Sequence, residues 1–417
     1  MRAALLGALL SALPCAASEP PVELRGVWLT SVDSSVLEGR KSIAEAMEFL
    51  EQHHFNAVFV VVWNSAYTLY PSRVMERRFG TAIHPRFAGR DPLADVVAEA
   101  HARGIAVIAW FEYGMAASYR AGGGPILKKN PSWAERDSSG KLLTKNGFEW
   151  LNGFHPEVQD FLLSLVSEVA ENYGVDGIQG DDRLPAQPVE GGYSAYTAGL
   201  WAAEHGGAQP PKEPRDPAWM RWRADRLTRY AQALSAGAKK SRPGLVVSWS
   251  PGPYPWCYEE YLQDWPAWMK NNSGDIVHPQ LYRRSFEAYK EVLSSQLSGA
   301  AGSAAGRMYP GMLISLGSWQ APEKDIVRAV QLNRERGLGG EVFFFFEGLR
   351  REGGKLAQAL LAGPYAERAA LPAPFIRRTQ PDAASPAKLR GRAPGPSAFD
   401  ELLKVHAGTK DGLLPPL

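Results

Sequence analysis

Cysteine is almost missing from this chain: Cys15 and Cys257 are the only two among 417 residues. Removal of the N-terminal segment would leave Cys257 alone, so no intramolecular disulfide is expected, and a core of this size does not need one. Nothing near Cys257 in the sequence suggests a base that would activate it, so it reads as structural. A charge excess is missing as well, with 46 Lys and Arg against 44 Asp and Glu. That balance predicts no strong attraction to nucleic acid or anionic lipid. Histidine is scarce, and its eight copies show no His-x-x-x-His spacing beside acids. A metal-dependent deacetylase is therefore disfavoured, and no metal or cofactor is expected. Long apolar runs are absent too. The run over residues 3–13 is too short to span a bilayer.

What is present is tryptophan, 13 copies, with aromatic residues at 11%. Such rings fill cores, and their flat faces also match the C–H face of a pyranose. Arg2, the apolar run and Cys15-Ala16-Ala17-Ser18 together resemble a signal peptide over residues 1–18, which predicts a secreted or periplasmic protein. Pro14 fits a lipidation motif at Cys15 badly. Residues 363–417, rich in Pro and Ala, are expected to be a mostly disordered tail.

Between these ends, short apolar runs alternate with longer helical stretches, the pattern of a parallel sheet with helices outside. Strands are expected at residues 25–30, 57–63, 105–111, 175–180, 245–250, 275–282, 312–316 and 342–346. The run over 57–63 is apolar throughout, as a strand buried on both faces should be. Helices are expected to open at Ser42 as an N-cap, at Asp91-Pro92, at Pro156 and at Lys324. Eight strands with about eight helices select a closed α/β fold, a (β/α)₈ TIM barrel over residues 22–362. Residues 183–215 form a long Gly- and Pro-containing insertion after strand four, and a loop that long is usually functional.

Catalytic groups of such barrels sit at strand C-termini and in the loops beyond. Those positions hold Asp33, Asn64, Glu112, the pair Asp181-Asp182, Gln280, Tyr282 and Glu347. Side-chain alternation turns Gly177, Gln179 and Asp181 toward the barrel axis and Asp182 away. Asp181 is thus the leading carboxylate, with Asp182 orienting a neighbour, through Arg183 or a backbone amide. Glu112 and Glu347 follow apolar strands, where burial should raise a carboxyl toward the pKa of a general acid. Asn64, Trp110, Asn152, Trp249, Gln280 and Tyr282 are the candidate substrate-binding residues. His278 reads as a core histidine. Two carboxyl groups flanking a sugar bond can cleave it, one as acid and the other as base or nucleophile.

Several segments, in order, resemble the glycosyl-hydrolase-like family 10 proteins over roughly residues 22–360. They are Arg25-Gly26-Val27-Trp28-Leu29, Glu99-Ala100-His101-Ala102-Arg103-Gly104, Ile108-Ala109-Trp110-Phe111 and Trp150-Leu151-Asn152. Asp176-Gly177-Ile178-Gln179-Gly180-Asp181-Asp182, Pro279-Gln280-Leu281-Tyr282-Arg283 and Phe344-Phe345-Phe346-Glu347-Gly348-Leu349 complete the set. The resemblance implies a barrel glycosidase, with Asp181 and Asp182 on the family's paired strand-four acids. Some members act on bacterial cell-wall glycan strands. Gly180 departs from the larger residue common in the family, which implies different local packing, and Glu112 stands where many members carry Asn, a variant that marks a subgroup. Arg183 stands where chitinase-like enzymes carry their catalytic Glu, which disfavours that chemistry. The expected activity is hydrolysis of a bacterial polysaccharide, most of all peptidoglycan glycan, by a monomer. The alternative is a non-catalytic barrel that binds glycan in the cell envelope.

Overall fold

The computed structural model describes residues 19–375; the signal-peptide segment and most of the tail lie outside that range. Eight parallel strands form one sheet: β1 (Leu24–Leu29), β2 (Ala57–Val61), β3 (Ala106–Phe111), β4 (Gly177–Gly180), β5 (Val246–Trp249), β6 (Ile276–Val277), β7 (Gly311–Leu313) and β8 (Gly340–Phe344). Hydrogen-bonded neighbours run β6-β5-β4-β3-β2-β1-β8-β7. Parallel bridges Val277↔Met308 and Gln280↔Gly311 bring the two ends of this row together. The sheet is a (β/α)₈ barrel.

The outer layer follows in chain order: α1 (Arg40–Gln52), α2 (Pro92–His101), α3 (Pro156–Asn172), α4 (Pro217–Ser241), α5 (Trp265–Lys270), α6 (Phe286–Ser298), α7 (Glu323–Glu335) and α8 (Phe346–Leu361). Local chemistry sets their ends. Asp91 caps α2, its carboxylate accepting from the Ala94 amide at 3.1 Å, with Pro92 in the first turn. Ser42 is not a cap: α1 begins two residues earlier, and the Ser42 hydroxyl donates to the carbonyls of Val36 and Gly39.

Strand six is far shorter than its apolar run suggests. Pro279 has no N–H for the ladder, so regular pairing stops at Val277 and resumes only as single bridges. The first residues of the expected tail are packed as well. Tyr365 is fully buried and its hydroxyl donates to Glu341 at 2.6 Å, while Ala370 bridges to Val22.

The barrel interior is built from side chains of alternate residues. The Trp28 indole donates to Gln179 Oε1 at 2.7 Å, and the Gln179 amide donates to Ser248 at 2.9 Å. His278 is buried beside Trp28 and Phe59, its Nδ1 2.9 Å from the Tyr309 carbonyl. Burial drives its pKa down to about 3, so the ring is neutral. Cys257 is buried too, its thiol donating to the Gln263 carbonyl at 3.3 Å.

Two additions crown the C-terminal face. After β3 comes a three-stranded antiparallel sheet, Ala116–Tyr119, Thr144–Lys145 and Phe148–Trp150. Asn146 and Gly147 turn its hairpin, both at positive φ. After β4 the insertion carries the helix Ala195–Glu204. Buried Arg223 on α4 clamps it, donating to the carbonyls of Val189, Gly191 and Pro214.

Candidate active site

β4 ends in Asp181-Asp182-Arg183, and these three residues organise the barrel mouth. Asp181 points inward and is 3% exposed. Its Oδ2 accepts from the Trp110 indole of β3 at 2.9 Å. Its Oδ1 accepts from the Gln280 amide at 2.6 Å and from the Asp182 backbone N–H at 2.7 Å. The Gln280 amide also donates to the Ser250 carbonyl at 3.0 Å, which fixes its nitrogen as the end facing Asp181. Beneath, buried Gln263 ties the Asp181 carbonyl to that of Pro185. The strand end is held from every side.

Arg183 is the hub. Its Nη2 lies 2.5 Å from Glu112 Oε1 and 3.7 Å from Asp181 Oδ2, and its Nη1 lies 3.1 Å from Asp182 Oδ1. Its Nε donates to the Glu112 carbonyl at 3.1 Å. Glu112 also accepts a very short hydrogen bond from Asn64 Nδ2. Asp182, about a third exposed, is the most open of the three carboxylates.

Three acids around one guanidinium leave excess negative charge in a buried place. Burial raises the Glu112 pKa, and Arg183 pulls it back. Burial, then the Asp182 charge, hold Asp181 well above the usual carboxylate range, again opposed by Arg183. Glu112 and Asp181 titrate together at this separation, and both are shifted toward the protonated form.

The sequence-predicted residues divide cleanly. Asp181, Asp182, Glu112, Asn64, Trp110 and Gln280 meet at the mouth. Tyr282 joins them, its ring 5.3 Å from Phe344 and edge-on to Trp28, with its phenol pKa raised by burial and then by Asp181. Glu347 stands elsewhere on the rim, in the first turn of α8, accepting from Ser34 at 2.8 Å. Asp33 is exposed in the loop after β1.

Two expected substrate binders are core residues instead. Inward-facing Ser248 puts the next side chain, Trp249, on the outer side of β5. There it is fully buried against Trp268 and donates to the Ser273 carbonyl at 3.0 Å. Asn152 is also fully buried, donating to Ser194 and Thr197 and so pinning the insertion to the β3 extension. Sequence reasoning gave Arg183 only a possible orienting part and passed over the hairpin. The Asn146-Gly147 pair was the signal for that hairpin.

A parallel barrel with carboxylates gathered at its C-terminal mouth has the groups that acid–base hydrolysis of a glycosidic bond needs. The chain belongs to the Glycosyl hydrolase-like 10 family, whose model matches residues 23–316. It is similar to glycosyl hydrolase DigH of Escherichia coli K12, 25% identical over 349 residues, spanning 72% of this chain and 76% of that protein. It is also similar to glycosyl hydrolase YngK of Bacillus subtilis, 23% identical over 402 residues, 86% of this chain and 75% of that one. Among solved structures, the glycoside hydrolase domain of PgaB (BpsB) from Bordetella bronchiseptica superposes with a TM-score of 0.61. It is 13% identical and covers 81% of this chain and 99% of its own. The catalytic domain of β-amylase from Paenibacillus polymyxa gives 0.58 at 11% identity, over 84% and 99%. These two likenesses are of fold.

Proposed function

We propose that this protein hydrolyses glycosidic bonds of a bacterial polysaccharide outside the cytoplasm, with Asp181 as nucleophile and Glu112 as general acid. Peptidoglycan glycan strands are the proposed substrate, on the family resemblance of the motifs, and the signal-like N-terminus supports the location. One observation carries the chemistry: Glu112 and Asp181 share a single guanidinium nitrogen at 2.5 and 3.7 Å. Those two oxygens therefore lie no more than about 6.2 Å apart, short of the roughly 6.5–9.5 Å of an inverting pair.

The hydrogen-bond partners divide the roles. Asp181 faces fixed N–H donors from Trp110, Gln280 and Asp182, which favour its anion. Glu112 accepts from Arg183 on one oxygen and from the Asn64 amide on the other. Three N–H donors on Asp181 against two on Glu112 place the proton on Glu112 in this proposal, against the larger upward shift that burial gives Asp181. In the first step Asp181 bonds to the anomeric carbon while Glu112 protonates the departing oxygen. In the second, water replaces Asp181 and returns its proton to Glu112.

The test uses leaving groups. Glu112→Gln should lower turnover of natural glycan by about 10²–10⁴-fold, and much less for an aryl glycoside whose leaving group needs no proton. Equal losses on both substrates would remove Glu112 from the acid role.

A further inference from the structure

Two large rings on the C-terminal face are half exposed, Trp256 and Tyr119, each at 50%. Both are seated on glycine. A Cβ at Gly252 would come within 2.8 Å of the Trp256 ring, and one at Gly147 within 2.6 Å of the Tyr119 ring. Each ring thus lies against glycine backbone with half its surface open, and the Arg120 guanidinium sits 5.2 Å over the Tyr119 ring.

Both rings lead inward to the acid cluster through a second, more buried aromatic. Trp256 lies 5.7 Å from Tyr261, whose hydroxyl accepts from Asn146 at 2.8 Å. The Tyr261 phenol is pushed up to about 12, by burial first and then by the charge of Asp182. Tyr119 lies 5.1 Å from Phe148, and the Arg183 guanidinium sits 4.8 Å over the Phe148 ring. Asn146 and Phe148 belong to the same hairpin, so one tight turn braces both arms.

Resting on the glycosidase reading above, we propose that Trp256 and Tyr119 are outer sugar-stacking platforms, and that the site takes a glycan of several pyranose units. A pyranose offers an apolar C–H face to a flat ring. Recognition of this kind tolerates differences among sugars and rewards chain length, since each further unit adds contact area. Small saccharides would occupy the acid cluster and leave the platforms empty.

The test is KM measured over a series of glycan fragments from disaccharide to octasaccharide. Wild-type KM should fall as the chain lengthens. Trp256→Ala and Tyr119→Ala should each raise KM for the longest fragments about ten-fold, with a smaller effect on the shortest. Trp256→Phe, which keeps a ring, should recover most of the difference. Tyr196→Ala removes an exposed aromatic on the helix Ala195–Glu204 and should change nothing. A wild-type KM independent of length, or variants that follow the wild type throughout, would overturn the platforms while leaving the catalytic pair standing. Should the wild type turn over none of the fragments, the glycosidase reading fails. Calorimetric binding of the same series then decides the platforms: a Kd that tightens with length and is weakened by the two Ala variants supports them, and a flat Kd overturns them.

Discussion

Arg183 shows how much a single side chain can set. Without it, Glu112 and Asp181 would be two buried acids beside Asp182 with no positive charge to oppose the upward shift that burial gives them. With it, one positive charge faces three carboxyl groups and opposes, without cancelling, the upward shifts of Glu112 and Asp181, the direction a general acid needs. The pH profile follows. A carboxyl whose pKa is raised stays protonated above the range of ordinary carboxylates, so the acid form is lost only as the pH climbs past that point. Activity should fall on the alkaline side, with its limb above the roughly pH 4.3 of an unperturbed Glu. A profile already declining at that pH would contradict the raised acid. Asp181, Glu112, Asn64, Trp110 and Gln280 were legible because strand ends and alternation locate them. Arg183 was not, because nothing in a sequence tells how far a long side chain reaches back to another strand.

At the scale of elements, β4 and β5 explain one another. A Cβ at Gly180 would lie 2.5 Å from the Trp249 ring and 2.3 Å from the Leu184 carbonyl, so the large residue on β5 fills the room the glycine leaves. This is why Trp249, which the sequence placed at the substrate, is a packing residue. Aromatic content alone does not separate the two sides of a strand. Trp249→Ala should cost about 3–5 kcal/mol of stability, as other buried Trp truncations do. Chemical denaturation will measure it, and KM of the surviving folded enzyme should move little.

The lower end of β8 makes a different prediction. Glu341 is buried, and burial raises it from an ordinary 4.5 to about 7, against the pull of hydrogen bonds from Tyr365 and Asn333. Between those values the folded chain keeps the proton that the unfolded chain releases. Its contribution is full below about pH 4.5 and is lost as the pH rises through 7, at most about 3 kcal/mol. The stability difference between wild type and Glu341→Gln, followed over that window, should show this slope. A difference that does not change with pH would contradict it.

For the whole molecule, the sequence yielded the barrel, because eight apolar runs separated by amphipathic helices leave few other closures. It was less informative where tertiary contacts decide. Pro279 cut β6 short, Tyr365 drew the start of the tail onto the barrel floor, and Asn152 fastened the insertion rather than facing a ligand. Each of these depends on a partner far away in the chain, and composition does not name partners. The same holds for Glu347, whose strand ends beside the others yet whose carboxylate turns to Ser34.

The central claim is that two carboxylates bound to one guanidinium cleave a glycan with retention. Proton NMR of denuded peptidoglycan strands during digestion tests it most directly. The account predicts new reducing-end signals that first appear in the anomeric configuration of the bond being cut. Signals first appearing in the opposite configuration, or no reducing ends at all with fully folded protein, would contradict it.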